Sequence, residues 1–137
     1  MYNLFISHSW SYPDSYVSLC NLLNNAANFS YKNYSVPKDD PLRISSKTDH
    51  YYALQLRRKL TEQMRYSSVV LIMAGVYASY SDAIDMEISI AKELNKPIIA
   101  VEPWGAERTS TVVKNSADVI VGWNTNSLVT AIREYSI

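Results

Sequence analysis

The stretch Ser68-Val-Val-Leu-Ile-Met-Ala74 is an apolar run in the middle of the chain. A run of this length without polar alternation is typical of a strand covered on both faces, which is how strands lie in a parallel sheet. Three shorter apolar runs occur elsewhere, at Leu4–Ile6, Pro97–Val101 and Asp118–Val121. The four runs predict four strands of one parallel sheet.

Helix-like segments alternate with these runs, since apolar residues recur at helical spacing between them. The predicted helices are Asp14–Asn25, Asp49–Tyr66, Ser81–Asn95, Thr109–Lys114 and Ser127–Tyr135. A weaker, alternating segment at Tyr31–Val36 fits a strand at a sheet edge. The resulting order of strands and helices predicts an α/β fold, a flavodoxin-like five-stranded parallel sheet of order 2-1-3-4-5 with helices on both faces.

Bulk properties narrow the classes of protein that fit. A chain of 137 residues, 47% of them hydrophobic, suits a single domain over residues 1–137 with an adequate core. Thirteen basic residues balance thirteen acidic ones, so we expect neither nucleic acid nor a membrane as partner. The single cysteine, Cys20, and the absence of a signal-peptide pattern or a long apolar span lead us to expect a cytoplasmic protein.

Polar side chains follow the first predicted strand, where a parallel sheet of this order binds its ligands. In such sheets the ligand crevice lies outside the carboxyl ends of the strands at the point where the strand order reverses. Here Ser7, His8, Ser9 and Trp10 occupy that place. The alternative is structural: Ser9 or Ser11 caps the following helix and Trp10 covers its side.

An acidic residue interrupts the apolar face of the third predicted helix. At 100° per residue, Glu87 falls within the arc of Ile84, Ile88 and Ala91. A carboxylate on that face must be paired, shifted in pKa or open to a cleft, because burying an isolated charge costs several kcal/mol. The alternative is that Glu87 favours the helix dipole and pairs with a cation at the edge of the core.

The remaining sequence patterns are weaker evidence for a functional site, or they exclude particular classes of protein. The polar stretch from Pro37 to Asp49 is longer than the usual connection in such folds, and its Arg43 is suited to a phosphate but is also an ordinary solvated arginine. No metal-binding cluster, GxGxxG or GxxxxGK[ST] motif is present. A phosphoacceptor receiver domain is disfavoured, because Ser-His-Ser follows the first strand in place of an acidic cluster.

Three motifs in this order resemble TIR-like domains. They are "FISHSW" at the end of the first strand, "VVLIMAGVYASYS" leading into the helix with the inward glutamate, and "NKPIIAVEPWG" at the fourth strand. The resemblance covers essentially the whole chain and is most specific to the TIR subunit of the bacterial antiphage Thoeris systems (ThsB type).

The resemblance implies an enzyme of antiphage signalling that cleaves the nicotinamide–ribose bond of NAD. NAD would be the substrate, with no separate cofactor or metal, and the product a cyclic ADP-ribose type messenger that activates an effector. By the same resemblance Glu87 is the catalytic residue, Ser7, His8 and Ser9 contact ribose or phosphate, and Trp10 offers a stacking surface. Self-association or contact with other TIR domains is a further expectation.

The chain departs from the enzymatic TIR pattern at one position. Many enzymatic members carry a tryptophan one turn before the glutamate, where this chain has Ala83. Tyr77 or Tyr80 would have to supply the ring. The missing tryptophan lowers the efficiency that we expect for plain NAD hydrolysis. Two alternatives stay open: a TIR scaffold without catalysis, served by the 37–49 loop, and an enzyme similar to nucleoside deoxyribosyltransferases.

Overall fold

The computed structural model describes residues 1–7, 13–35, 50–74, 81–102 and 111–137. Strands and helices alternate along these segments. The strands are β1 (Tyr2–Ile6), β2 (Tyr31–Asn33), β3 (Val69–Met73), β4 (Ile98–Val101) and β5 (Val119–Val121). The helices are α1 (Pro13–Asn24), α2 (His50–Arg65), α3 (Ser81–Glu93), α4 (Thr111–Ser116) and α5 (Thr125–Tyr135).

The five strands form one all-parallel sheet in the order β2-β1-β3-β4-β5, which confirms the predicted topology. In the register that matters most for the site, Ile6 of β1 lies opposite Leu71 of β3. The reversal of strand order therefore falls between β1 and β3. This edge of the sheet is the place where a fold of this kind takes its ligand.

The helices divide between the two faces of the sheet. Because α1 crosses from β1 to β2 and the later crossovers run the opposite way, right-handed connections place α1 on one face and α2, α3 and α4 on the other. The packing agrees, since α1 contacts α5, α2 contacts α3, and α3 contacts α4. The helix α3, which follows β3, thus lies over the centre of the sheet.

The core is centred on β3 and β4, in which every residue is buried. Such strands read as continuous apolar runs because helices cover both of their faces. Each fully buried Leu or Ile side chain contributes roughly 1.5–3 kcal/mol to folding. The central strands, with Leu4, Phe5 and Ile6 of β1, form the buried centre of the sheet, and Ser7 follows directly at the carboxyl end of β1.

The edge strand β2 is shorter than the predicted segment 31–36. Tyr34 still donates its backbone N–H to Leu4, but the Ser35 N–H donates instead to the Asn33 side-chain oxygen at 3.0 Å. That local turn ends the ladder, as an Asn side chain commonly does. Tyr16 of α1 joins the same group, because its hydroxyl lies 3.0 Å from the Ser35 hydroxyl and accepts from the Asn33 amide. We call Tyr16, Asn33 and Ser35 the β2 cluster.

Candidate active site

Glu87 lies on the buried side of α3, as its helical position predicts. Its neighbours on that face, Ile84, Ile88 and Ala91, are all buried, while Asp85 on the opposite side is exposed. Only 2% of Glu87 is exposed. The amphipathic pattern of α3 therefore carries a carboxyl group into the space between the helix and the sheet.

Ser7 is the first residue after β1 and is completely buried. Its backbone N–H donates to the carbonyl oxygen of Leu71 at 3.0 Å, which continues the pairing of β1 with β3 by one step. The chain direction at Ser7 is thereby fixed by the strand next to it. The side chain is held at the carboxyl end of β1, beside the strand that leads into α3.

The Ser7 hydroxyl donates a hydrogen bond of 2.8 Å to Oε1 of Glu87. The two residues are 80 positions apart in the chain, and both lie out of water. A hydroxyl that donates to a buried carboxylate stabilises the charged form and restricts where the charge sits. The structure thus brings the inward carboxylate of α3 beside a hydroxyl at the end of the first strand.

A contact between α2 and α3 was not predicted from the sequence. Arg57 donates to the Glu93 carboxylate at 2.7 Å and to the Ser89 hydroxyl at 3.4 Å, on the exposed side of α3. Exposed ion pairs contribute little stability, typically below about 1 kcal/mol, so this contact adds little to the stability of the fold. Arg57 stands in a run with Arg58 and Lys59, and no sequence signal separates it from its neighbours.

A second polar pair lies at the same edge of the sheet, after β4. The Glu102 carboxylate and the Lys114 ammonium of α4 are 3.5 Å apart, and each side chain is about one third exposed. The backbone of Glu102 is fixed by its N–H donating to Val121 at 2.8 Å. The carboxyl edge of the sheet thus presents one buried carboxylate near β1 and β3, and one water-accessible carboxylate beyond β4.

The remaining predicted site residues lie outside the described part of the chain. They are His8, Ser9, Trp10, Arg43 and Tyr80, together with the 37–49 loop that would serve a TIR scaffold. Their proposed contacts with ribose, phosphate or a base stay predictions. Of the predicted set, the structure brings Ser7 and Glu87 together.

Metal-binding clusters and membrane-spanning helices are both absent from the described residues. Over the described segments there is no group of three or more His, Cys, Asp or Glu side chains placed to hold a metal ion. In the same segments, no helix combines the length and apolarity that crossing a membrane requires.

The fold and the geometry together define an α/β domain of flavodoxin-like topology, with a buried carboxylate at the carboxyl end of its 2-1-3-4-5 sheet. The model of one family, described as the Thoeris protein ThsB, TIR-like domain, matches residues 5–108. That match covers more than half of the chain, so the protein belongs to this family. No curated protein matches it.

Membership gives the protein a coarse function. It supports a role in Thoeris-type antiphage signalling and suggests NAD-related enzymatic activity and contacts with other TIR domains. Ser7 and Glu87 both fall within the matched residues. The match therefore includes the two side chains that the structure brings together.

Proposed function

We propose that this domain cleaves the bond between nicotinamide and ribose in NAD, with Glu87 as the catalytic carboxylate. The observation that carries the proposal is the nearly complete burial of Glu87 at the ligand edge of the sheet, with Oε1 bonded to Ser7. Placing a carboxylate there lowers the stability of the fold unless it is used or well paired. Buried carboxylates in a cleft are accordingly candidates for chemistry.

The chemistry of the bond favours such a carboxylate. As the C1′–N bond breaks, its electron pair passes to the pyridinium ring, nicotinamide leaves as a neutral molecule, and positive charge develops on the ribose. A carboxylate in a water-poor site stabilises that charge far better than one in bulk water, because the local dielectric is low. Glu87 would also accept hydrogen bonds from the ribose hydroxyls and so orient the sugar.

The fate of the ribose decides the product. Attack by water on C1′ gives ADP-ribose, whereas attack by a nucleophile within the same ADP-ribose closes a ring, and either attacker gives up one proton. We propose that ring closure dominates and that the cyclic ADP-ribose type product activates an effector. Membership in the Thoeris family supports a signalling role for the product.

Purified protein incubated with NAD tests the proposal. We expect release of nicotinamide, measured by liquid chromatography, and a Glu87→Gln variant at least about 100-fold slower, because the amide keeps the shape but not the charge. The matched control is Asp85→Asn, the same chemical change at an exposed position of the same helix, which should retain parent activity. Equal rates for Glu87→Gln and the parent would remove the assignment.

A parallel incubation with deoxynucleosides separates the alternatives. Release of free base would indicate a nucleoside deoxyribosyltransferase-like enzyme, and no release of base or nicotinamide would favour a scaffold. Because activity in a defence system can wait for infection, the same variants should also be expressed in phage-infected cells. Mass spectrometry of their small molecules should find a cyclic product in the parent and Asp85→Asn cells only.

A further inference from the structure

We propose that Ser7 is the positioning residue of Glu87, and that its hydroxyl serves the carboxylate and not the substrate. This inference rests on the proposed function for the reaction it affects. Its structural basis is independent of any substrate: a completely buried hydroxyl donates a 2.8 Å hydrogen bond to Oε1 of a carboxylate that is 2% exposed. The single O–H of Ser7 is donated to Oε1 of Glu87, and so it is already used by the carboxylate.

Ser7 is suited to this role because hydrogen bonds hold both its backbone and its side chain. Its N–H donates to Leu71 at 3.0 Å, which ties its backbone to the buried central strand. Its hydroxyl then reaches from that fixed point to Glu87. A donor mounted on a buried strand holds its partner more accurately than one mounted on a loop.

The Ser7 hydroxyl acts directly on the Glu87 carboxylate, whereas the core contacts of α3 act on the helix that carries it. The helix is held by Ile84 and Ile88 in the core and by Arg57, which bonds to Glu93 on the exposed side. The glutamate side chain still rotates about three bonds between its Cα and its carboxylate. The hydrogen bond to Oε1 selects one orientation before substrate arrives, and so reduces what must be ordered in the transition state.

The same hydrogen bond favours the ionised carboxylate, since a carboxylate is the better acceptor. Among the described residues, Arg57 of α2 pairs with Glu93 of α3, and Lys114 of α4 pairs with Glu102, which follows β4. Removing the Ser7 hydroxyl should therefore change both the orientation and the ionisation of this carboxylate.

Kinetics of Ser7 variants test the inference. We expect Ser7→Ala to lower kcat about 10- to 100-fold with KM within about 3-fold, since orientation is lost and ground-state binding is not. The acid limb of the kcat/KM profile should move upward by about one pH unit, because the ionised form loses a donor. Ser7→Thr, which keeps the hydroxyl, should restore kcat to within about 3-fold of the parent.

The matched control is Ser67→Ala. Ser67 is also a buried serine, but its hydroxyl donates to the Met64 carbonyl, away from Glu87. This variant should leave kcat, KM and the pH profile unchanged. If Ser7→Ala does not fold, Ser7→Cys replaces it, since a thiol has similar shape but donates weakly.

The results that overturn the inference are distinct. A raised KM with unchanged kcat in Ser7→Ala would make Ser7 a substrate contact, as the family resemblance implies. Unchanged kcat, KM and pH profile would leave it without a role in the reaction. Failure of Ser7→Thr to restore kcat would show that the hydroxyl is not what matters.

A measurement without substrate keeps this inference separate from the proposed function. With carboxyl-¹³C glutamate, the NMR resonance absent from Glu87→Gln identifies the Glu87 carboxyl, and its titration is followed in the parent and in Ser7→Ala. We expect titration at higher pH in Ser7→Ala even if the parent releases no nicotinamide, in which case only the proposed function fails. An unmoved titration in a protein that does cleave NAD would overturn the positioning role alone.

Discussion

The Ser7–Glu87 pair and the β2 cluster both join hydroxyl-bearing residues to polar partners, but the two groups differ in their surroundings. Ser7 and Glu87 form a buried pair that contains an ionisable acid. The β2 cluster joins Tyr16, Asn33 and Ser35 at the edge of the sheet, where the side chains are at least partly exposed and no charge is involved at neutral pH. Water can replace a lost partner in the cluster but not in the pair.

The two groups also differ in the reactivity that their surroundings allow. Burial raises the pKa of the Tyr16 hydroxyl, and it also raises the pKa of the neighbouring Cys20 thiol. Both groups therefore stay protonated and unreactive at neutral pH, and the cluster serves to hold β2 against α1. The Ser7–Glu87 pair instead places an acid where an apolar residue would be expected.

The largest expected effect comes from removing the buried donor. Ser7→Ala should lower the free energy of unfolding by about 1.5–3 kcal/mol, since hydrogen bonds to charged groups are worth that much and the carboxylate stays out of water. Urea titration followed by circular dichroism measures it. A loss below about 0.5 kcal/mol would mean that water reaches Glu87, and the contrast between the two groups would disappear.

A smaller effect is expected in the β2 cluster. Tyr16→Phe removes the hydroxyl that lies 3.0 Å from Ser35, and should cost about 0.5–1.5 kcal/mol because the remaining groups can bond to water. Nicotinamide release should be unchanged. A loss of activity in this variant, with the fold intact by circular dichroism, would show that the cluster has more than a structural role.

The smallest effect is a pH dependence at the same edge. Burial raises the pKa of Tyr31 to about 12 from its ordinary value of 10.0. Between these values the unfolded chain binds fewer protons than the folded one, so the stability that Tyr31 contributes is complete below about pH 10 and is lost as the pH rises through about 12. Urea titrations of the parent and Tyr31→Phe over this range should show the shallower decline in the variant.

The sequence predicts the buried half of the molecule better than its edge. The apolar run at 68–74 corresponds to β3 at Val69–Met73, because a strand covered on both faces leaves a continuous signal. The segment 31–36 was predicted too long, because the Asn33 side chain captures the Ser35 N–H. Similarly, α5 begins at Thr125 and not at Ser127, because Asn124 caps it by accepting from the Ser127 N–H.

The site could be predicted only in part, because local patterns place Glu87 but do not identify its partner. Helical periodicity alone turns Glu87 inward, since its position is set by residues a few places away. Its pairing with Ser7 depends on the register of β1 against β3 and on the packing of α3, which no local pattern contains. The sequence could name the hydroxyls after the first strand but not the one that bonds to the acid.

The separation of Ser7 and Glu87 by 80 positions has a consequence for biosynthesis. A nascent chain that has emerged only as far as residue 80 carries the serine, yet its partner and the whole of α3 are still inside the ribosome. The pair assembles only after β3 has joined β1 and the following helix has docked. A ribosome-bound or prematurely terminated fragment that ends before Glu87 therefore lacks the buried pair.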